Sequence, residues 1–393
     1  MEVTRFQRFV RNSSDHWQWV AIGLLTLGFL SITGIGLLNT LPTPPPVPGP
    51  EPEPEVVEFA EPPKELMGWA GAQAAEIAWA ANQHEFAAFK IAHIDGDIPQ
   101  DNTSKRVVMW DAAKIVNGGK HLPTLRQEIG DCVGFGAANA LRYLQAVHIV
   151  LYGDRIEWKE PFVPYHYAMG RNLPNAGNSR IRGPDGSLGS WQAIGLKEGG
   201  WIAADTPGLP AYSAAVARQW AVRLPQPEFI AIGKQHLVKT ASRLRTAAEI
   251  RDAICNGYPV TIASDWGGKM RPPTIDGRLV NTKSDTWQHQ MCVIGYDGTG
   301  AVKYWYVLNS WGPSAHGTPP DDAVPGGFWI PERDMEYIAK TGECYAISDV
   351  VGYPSRDWII IEQKAAFMRH QQQIPQTNAG EEWREKVVYS LSM

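Results

Sequence analysis

The chain has 393 residues, of which 44% are hydrophobic and 20% charged, and it contains 16 Trp and 13 Tyr. This length and aromatic content exclude a mainly disordered chain and allow one large domain with appended segments. The net charge of -5 provides no broad basic field, so we expect no nucleic-acid partner. The four cysteines are Cys132, Cys255, Cys292 and Cys344, and none of them has C-x-x-C spacing. We therefore expect neither a metal ion nor a cofactor.

The N-terminal region has the pattern of a membrane anchor. All arginines of the first 16 residues precede an uncharged stretch at 17–41, whose residues 20–38 are strongly apolar. About 20 such residues cross a bilayer as a helix. No Lys or Arg follows until Lys64, so the positive-inside rule assigns residues 1–16 to the cytoplasm. We predict a single-pass transmembrane helix or signal anchor at 17–41, with a cleavable signal peptide as the alternative.

Three further segments flank the central part of the chain. Residues 42–63 are rich in Pro and Glu and predict an extended, semi-rigid linker. Residues 64–104 predict a helical pre-domain segment, for which packing on the domain is favoured over the role of an inhibitory propeptide. Residues 354–393 are a polar C-terminal extension, expected to be peripheral. The pre-domain side chains expected to pack on the domain are Ile77, Trp79, Phe86 and Phe89.

The central residues, 105–353, predict an α+β domain. Long apolar runs indicate helices at 133–150 and 191–198. Short β-rich runs bounded by Gly and Pro follow them, at 259–263, 291–296, 302–308 and 327–330. Because the helices come first and the strands later, we expect two lobes, one mainly helical and one mainly β.

One cysteine lies where a thiol can become reactive. In the segment RQEIGDCVGFGAANAL, Cys132 immediately precedes the first predicted helix of the domain. The free N–H groups and the dipole at a helix N-terminus favour the thiolate, which is the nucleophilic form. A lone cysteine more often serves as a small buried hydrophobe, so a catalytic role needs partner residues.

Suitable partners lie on two consecutive predicted strands. His289 begins the strand HQMCVIGYD, and Asn309 ends the next strand, KYWYVLNSWG. If these strands form a hairpin, Asn309 can orient the imidazole of His289. Either residue alone has a structural interpretation, as a strand-edge histidine or a turn asparagine. In the order Cys132, His289, Asn309 they predict a catalytic site with a nucleophile, a base and an orienting group.

These blocks closely resemble the papain-like cysteine peptidases over about residues 110–352. The similarity rests on the Cys132 segment, on the H-x-x-x-x-x-G-Y run that begins at His289, and on the N-S-W-G block that begins at Asn309. WQAIGLKEGG at 191–200 resembles the second helix of that family, and GGFWI at 326–330 its strand after the Asn loop. The resemblance implies a papain-like two-lobed fold, with a helical lobe, a β-barrel lobe and the active site in the cleft between them.

The resemblance also implies a role for individual residues. Cys132 would be the nucleophile, His289 the general base and then acid, and Asn309 the orienting group. Gln127 would donate its amide, beside the Cys132 backbone N–H, to an oxyanion hole. Trp311 would cover the pair of His289 and Asn309. The implied substrate-binding residues are Gly186, Ser187 and Leu188 on one wall of the cleft, Ala263 on the other, and Trp311.

Two departures from the family pattern bear on function. Gln127 stands five residues before Cys132, where the family usually has six, and Val133 replaces the usual Trp. We predict a cysteine endopeptidase that hydrolyses peptide bonds of polypeptides, with its catalytic domain extracytoplasmic. One alternative is a cell-wall amidase or peptidoglycan peptidase, which suits an anchored, outward-facing domain. The other is an inactive papain-like binding or scaffold protein, which the shifted Gln127 would favour.

Overall fold

The structure, a computed structural model, describes residues 60–92, 101–153 and 157–373. The predictions for residues 1–16 and 17–41, and for most of the linker at 42–63, lie outside these residues. Over the described ranges, no helix is long and apolar enough to cross a membrane.

The described residues contain ten α-helices and eleven β-strands. The helices are α1 Ala72–Asn82, α2 Trp110–Val116, α3 Cys132–Tyr152, α4 Val163–Asn172, α5 Gly189–Glu198, α6 Ala214–Ala221, α7 Pro227–Gly233, α8 Ala247–Cys255, α9 Glu332–Thr341 and α10 Ile359–Gln373. The strands are β1 Ile91–Ala92, β2 Arg106–Val108, β3 Thr240–Leu244, β4 Val260–Gly267, β5 Thr274–Ile275, β6 Arg278–Leu279, β7 Asp285–Asp297, β8 Tyr304–Leu308, β9 Gly327–Pro331, β10 Glu343–Ser348 and β11 Tyr353–Pro354.

The main sheet is antiparallel and organises the second half of the domain. Its strand order is β3-β10-β4-β7-β8-β9, and β2 pairs with β7. Strand β7 pairs with β4 on one side and β8 on the other, so it lies in the middle of the sheet. The predicted hairpin of the His289 and Asn309 strands is confirmed, because β7 and β8 are antiparallel neighbours.

The long helix α3 forms the other half of the core. Almost all of its residues are buried, because its sequence is apolar on every side, and it packs against β7, α2 and α4. It ends at Gly153, whose φ of 62° is the left-handed conformation that glycine adopts readily. The helices predicted at 133–150 and 191–198 correspond to α3 and α5, and the predicted strands to β4, β7, β8 and β9. The predicted α+β arrangement is therefore confirmed.

The pre-domain segment is less helical than predicted. Within 64–92 only α1 is α-helical, and β1 pairs with β11. Trp79, Phe86 and Phe89 pack against the main core, as expected. Ile77 is 66% exposed, so its expected packing is wrong: α1 turns its small residues, Ala75 and Ala78, toward the domain instead.

The C-terminal extension is part of the core in its described portion. Trp358 and Ile361 are buried in the main hydrophobic cluster, and α10 packs against α2 and α3. The expectation that the chain is peripheral from residue 354 onward is therefore wrong for the part that extends to the end of α10. The buried residues Trp358, Ile361 and Ala365 recur at i, i+3 and i+7, so the sequence does contain the helical pattern that marks this packing.

Candidate active site

The fold brings the start of α3 next to the middle of β7. Cys132 is the first residue of α3, and His289 lies within β7. The neighbour of His289, Gln290, ties the two elements together: its side-chain Nε2 donates to the Val133 carbonyl at 2.9 Å. The backbone N–H of Gln290 also approaches the Cys132 sulfur. The elements that carry the predicted nucleophile and base are thus in direct contact, and both residues are buried.

The hydrogen bonds of Asn309 define the tautomer of His289. The Ser310 backbone N–H donates to Asn309 Oδ1 at 2.7 Å, so this atom must be the amide oxygen. His289 Nε2 lies 2.8 Å from the same oxygen and therefore carries the proton. Nδ1 of His289 is buried and has no hydrogen-bond partner among the described residues. The unprotonated nitrogen is the one left available to act as a base.

A second histidine holds the other end of Asn309. The Asn309 Nδ2 amide donates to His316 Nε2 at 2.9 Å, and His316 Nδ1 donates to the Met270 carbonyl at 3.1 Å. No sequence motif singles out His316 as a partner of the site. His316 lies in the loop between β8 and β9, whose path the sequence does not reveal. The amide plane of Asn309 is therefore fixed from both sides.

Trp311 lies over the imidazole, as the resemblance implied. Its ring centroid is 4.6 Å from that of His289, with an angle of 34° between the planes. Trp311 is itself buried, and a second indole, Trp287, lies 5.3 Å from it. These rings keep solvent away from the bond between His289 and Asn309.

A short N-terminal segment occupies the cleft over Cys132. We call residues 66–70 the strap. The Gly68 N–H donates to Cys132 Sγ at 3.3 Å. The strap also pairs with Ser187: Ser187 N donates to Gly68 O at 2.8 Å, and Ala70 N donates to Ser187 O at 3.0 Å. On the opposite side, Trp69 N donates to Gln288 O at 3.1 Å. The strap thus bridges both walls of the cleft and presents an N–H, rather than a carbonyl carbon, to the sulfur.

Glycine is required where the strap crosses the thiol. A Cβ atom on Gly68 would lie 1.9 Å from the Gly130 carbonyl oxygen, far inside van der Waals contact. Gly130 cannot easily move away, because its own N–H donates to Asp185 Oδ1 at 2.7 Å. Any larger residue at position 68 would have to lift the strap from the cleft.

The Gln127 side chain is buried between the strap and the Asn309 loop. Its Nε2 donates to Leu66 O at 2.7 Å and to Ile129 O at 2.9 Å, while its Oε1 accepts from Ser310 Oγ at 2.6 Å. One of its two N–H groups therefore already binds an oxygen that the strap places in the cleft. Its role in an oxyanion hole remains a prediction for the form without the strap.

Burial under the strap keeps the thiol and imidazole neutral. Burial raises the pKa of Cys132 to about 12, against opposing hydrogen bonds from the Gln290 and Gly68 backbones. Burial also lowers the pKa of His289 to about 4, against the hydrogen bond to Asn309. The thiolate expected from the helix N-terminus is therefore not the state of this closed form, because desolvation outweighs the helix dipole.

The implied substrate-binding residues line the space that the strap fills. Ser187 pairs with the strap backbone, while Leu188 and Ala263 belong to the buried apolar cluster that contains Trp69. Gly186 differs, because its carbonyl accepts hydrogen bonds from the Tyr167 hydroxyl and from the Arg171 guanidinium. Gly186 thus supports the wall from behind and makes no hydrogen bond to the strap.

Cys132, His289 and Asn309 supply a thiol, an imidazole and an amide, which are the groups that a cysteine hydrolase uses. Residues 226–318 match the family model described as papain family cysteine protease. The match confirms the resemblance and indicates a cysteine-type peptidase, a hydrolase. It includes His289 and Asn309, whereas Cys132 lies before it.

Solved structures of cysteine proteases are similar to this chain at low identity. Xylellain, a cysteine protease from Xylella fastidiosa, is 16% identical over 74% of this chain and 100% of that chain, with a TM-score of 0.45. Digestive procathepsin L 3 of Tenebrio molitor larval midgut is 16% identical over 69% and 78%, with a TM-score of 0.38. A structure from work on the mite allergens Blo t 1 and Der p 1 is 14% identical over 72% and 80%, with a TM-score of 0.43. A search of curated proteins finds no significant match.

Proposed function

We propose that this protein hydrolyses peptide bonds of polypeptides, with Cys132 as nucleophile, His289 as base and Asn309 as orienting group. The observation that carries the proposal is the tautomer of His289. Nε2 is committed to Asn309 Oδ1 at 2.8 Å, and among the described residues the basic Nδ1 has no hydrogen-bond partner. The buried His166 also has one unbonded ring nitrogen, but of the two only His289 combines that feature with an orienting asparagine and a neighbour, Gln290, that bonds the start of α3.

We propose the following reaction for these groups. His289 Nδ1 takes the proton of the Cys132 thiol as the sulfur attacks the substrate carbonyl carbon. The developing oxyanion would accept hydrogen bonds from the Gln127 amide and the Cys132 backbone N–H. The protonated imidazole then gives its proton to the leaving amine. Water attacks the acyl-enzyme, again with His289 as base, and releases the acid product.

The strap must leave the cleft before this reaction can begin. It covers Cys132 Sγ, uses the backbone groups of Ser187 and engages the Gln127 amide through Leu66 O. A substrate needs the same groups. The closed form is therefore a latent one, which revises the earlier preference for simple packing of the pre-domain segment over an inhibitory role.

The test is to compare Cys132→Ala with Cys255→Ala in hydrolysis of an unfolded polypeptide, with Gly68→Ala present in the parent and in both variants to displace the strap. Cys255 is a buried free cysteine in α8, so it controls for the loss of a buried thiol. We expect no turnover from Cys132→Ala, near-parent turnover from Cys255→Ala and cooperative thermal unfolding of both. Retained turnover in Cys132→Ala would overturn the mechanism.

The same assay separates the two alternative functions. Cleavage of peptidoglycan peptides but not of unfolded polypeptide would favour the cell-wall amidase or peptidase. A parent protein that hydrolyses neither substrate, even after removal of the strap, would favour the inactive scaffold.

We further propose that residues 17–41 anchor the protein in a membrane, with residues 1–16 cytoplasmic and the catalytic domain outside. The support is the apolar run and the positive charge that precedes it. Protease added to intact cells should release a fragment that begins within residues 42–63. Release only after lysis would contradict this orientation.

A further inference from the structure

The side chain of Gln290, in β7, is buried against the two helices α3 and α5. Its Nε2 donates to the Val133 carbonyl, in the first turn of α3, at 2.9 Å. Two glycines make room for the amide. A Cβ atom on Gly136 of α3 would lie 2.8 Å from Nε2, and one on Gly189 of α5 would lie 3.3 Å from Oε1. The amide therefore occupies a slot that the two helices leave open, and its position is fixed.

The bond to Val133 is additional to those that the helix needs. In an α-helix, the carbonyl of one residue accepts from the N–H group four residues later, and α3 continues to Tyr152. Gln290 in turn leaves its own Oε1 buried and without a hydrogen-bond partner in the described part of the chain. A buried acceptor without a donor is costly, and an apolar side chain would fill the slot without that cost. Packing alone therefore does not account for a glutamine at this position.

The backbone of Gln290 reaches the Cys132 sulfur itself. Three backbone N–H groups approach this sulfur and favour the thiolate, against the larger effect of burial: those of Gln290, Gly68 and Val133. The N–H of Gly68 belongs to the strap and leaves with it, whereas the other two belong to the domain. Because His289 directly precedes Gln290, one short stretch of β7 brings both the base and an N–H donor to the thiol. A displacement of α3 relative to this stretch would separate the sulfur from both.

We propose that Gln290 is a positioning residue, whose side chain holds the start of α3 against β7 so that the Cys132 thiol ionises readily beside His289 when the strap is open. A side-chain bond that spans two elements fixes the distance between them, and a change of about 1 Å in such a distance is enough to impair a catalytic site. This inference rests on the proposed peptidase function, since it concerns how the proposed nucleophile is formed.

Other charged or titratable groups surround the thiol and the Gln290 amide on the neighbouring elements. They are Asp131 before α3, Tyr167 of α4, Asp185 beside Gly130, His289 of β7, and Glu343 and Tyr345 of β10. Burial raises the pKa of Asp131 well above its usual range and also raises the pKa of Tyr167. A comparison of variants in one background cancels the effects of these groups, because none of them is changed.

The experiment measures the pH dependence of Cys132 alkylation by iodoacetamide, mapped by mass spectrometry. Gly68→Ala is present in every protein, so that the strap is displaced. The rate rises as the thiol ionises, and the midpoint of the rise reports the pKa of the thiol. Gln290→Met removes the donor but keeps a side chain of similar length. We expect its midpoint to lie about one pH unit above that of the background protein, with alkylation about tenfold slower below the midpoint.

Gln192 of α5 provides a matched control. It too is a buried glutamine whose Nε2 donates to a backbone carbonyl at 2.9 Å and whose Oε1 has no partner among the described residues, but its bond runs to His166 of α4. Gln192→Met therefore makes the same change without breaking a bond to α3, and we expect the midpoint of the background protein. An unchanged midpoint in Gln290→Met would overturn the proposal. An equal rise in both variants would also overturn it, because it would show only a general loosening of the domain.

A second variant tests the same contact if Gln290→Met does not fold. In Gly136→Ala the new Cβ forces the Gln290 amide away from Val133, while alanine is the better helix former. We expect the same rise of the midpoint, and an unchanged midpoint would overturn the proposal. Alkylation needs no substrate. A protein that shows the rise but cleaves no polypeptide therefore keeps this inference and loses the proposed function, whereas one that cleaves polypeptide without the rise loses only this inference.

Discussion

The two halves of the candidate site are held in different ways. His289 lies in β7 and Asn309 directly follows β8, and their side-chain hydrogen bonds are made within the domain, including the one that Asn309 donates to His316. Cys132 is instead covered by the strap, 64 residues earlier in the chain. The comparison indicates that the sheet preorganises the base and its orienting group, whereas access to the thiol is set by a segment that can leave.

The largest effect in this comparison is expected at Gln127, which lies between the two halves. Gln127→Ala should lower kcat by about 10²- to 10³-fold with little change in KM, because an oxyanion donor meets its full charge only in the transition state. Gln127→Glu is the matched control, since it keeps an acceptor for the Ser310 hydroxyl but loses the donor. Steady-state kinetics should show the same loss in both. A parent-like kcat in either variant would leave the oxyanion donor unidentified.

We expect the strap to open more often at acidic pH. Burial lowers the pKa of His289 from 6.5 to about 4, so the closed form binds fewer protons there than an open form with an ordinary histidine. Strap closure is therefore fully favoured above pH 6.5 and weakens as the pH falls toward 4, by up to about tenfold per pH unit. The raised pKa of Cys132 favours opening of the strap only at alkaline pH, where the thiol of an open form would ionise. It does not affect closure between pH 4 and pH 6.5.

The measurement is limited proteolysis of the strap by an acid-tolerant endopeptidase at pH 7 and pH 5. A free peptide with the strap sequence, digested in parallel, corrects for the pH dependence of the protease. Faster cleavage of the strap at pH 5, relative to that peptide, is the expected result. An equal or slower relative rate at pH 5 would show that His289 is not uncovered when the strap moves.

A smaller effect is expected at His316, which positions Asn309. His316→Leu removes the acceptor of the Asn309 amide, and the loss of one neutral hydrogen bond should lower kcat by about 2- to 12-fold. His316→Gln is the conservative control, because its side-chain oxygen can accept from Asn309 Nδ2. The expected result is near-parent kcat for Gln and reduced kcat for Leu. Equal kcat values in the two variants would mean that His316 only fills space beside Phe328 and Trp287.

The sequence predicted the parts of the site that regular elements carry. The apolar run at 133–150 indicated a helix directly after Cys132, and α3 begins at Cys132 itself. The two β-rich runs indicated the hairpin of the His289 and Asn309 strands, although β7 begins at Asp285, before His289. Helix and strand periodicities follow directly from which side chains must be buried. The residues at the ends of these elements could therefore be placed before the structure was known.

The parts that could not be predicted depend on irregular segments. The strap binds through backbone groups and one glycine, which leave no periodic pattern, so only a helical segment was expected there. His316 lies in a loop, where no periodic pattern indicates its position. The state of the thiol was also missed, because a helix N-terminus is visible in the sequence whereas burial under the strap is not.

We propose that Cys132 is a reactive nucleophile and that the strap covers it. Labelling with a cysteine-directed epoxide tests both properties. Mass spectrometry would map the label in the parent, in Gly68→Ala, whose new Cβ must displace the strap, and in Ala70→Ser, a control at an exposed strap position. We predict labelling of Cys132 and of no other cysteine, much faster in Gly68→Ala than in the other two. Labelling spread over Cys255, Cys292 and Cys344, or a rate at Cys132 unchanged by Gly68→Ala, would contradict the account.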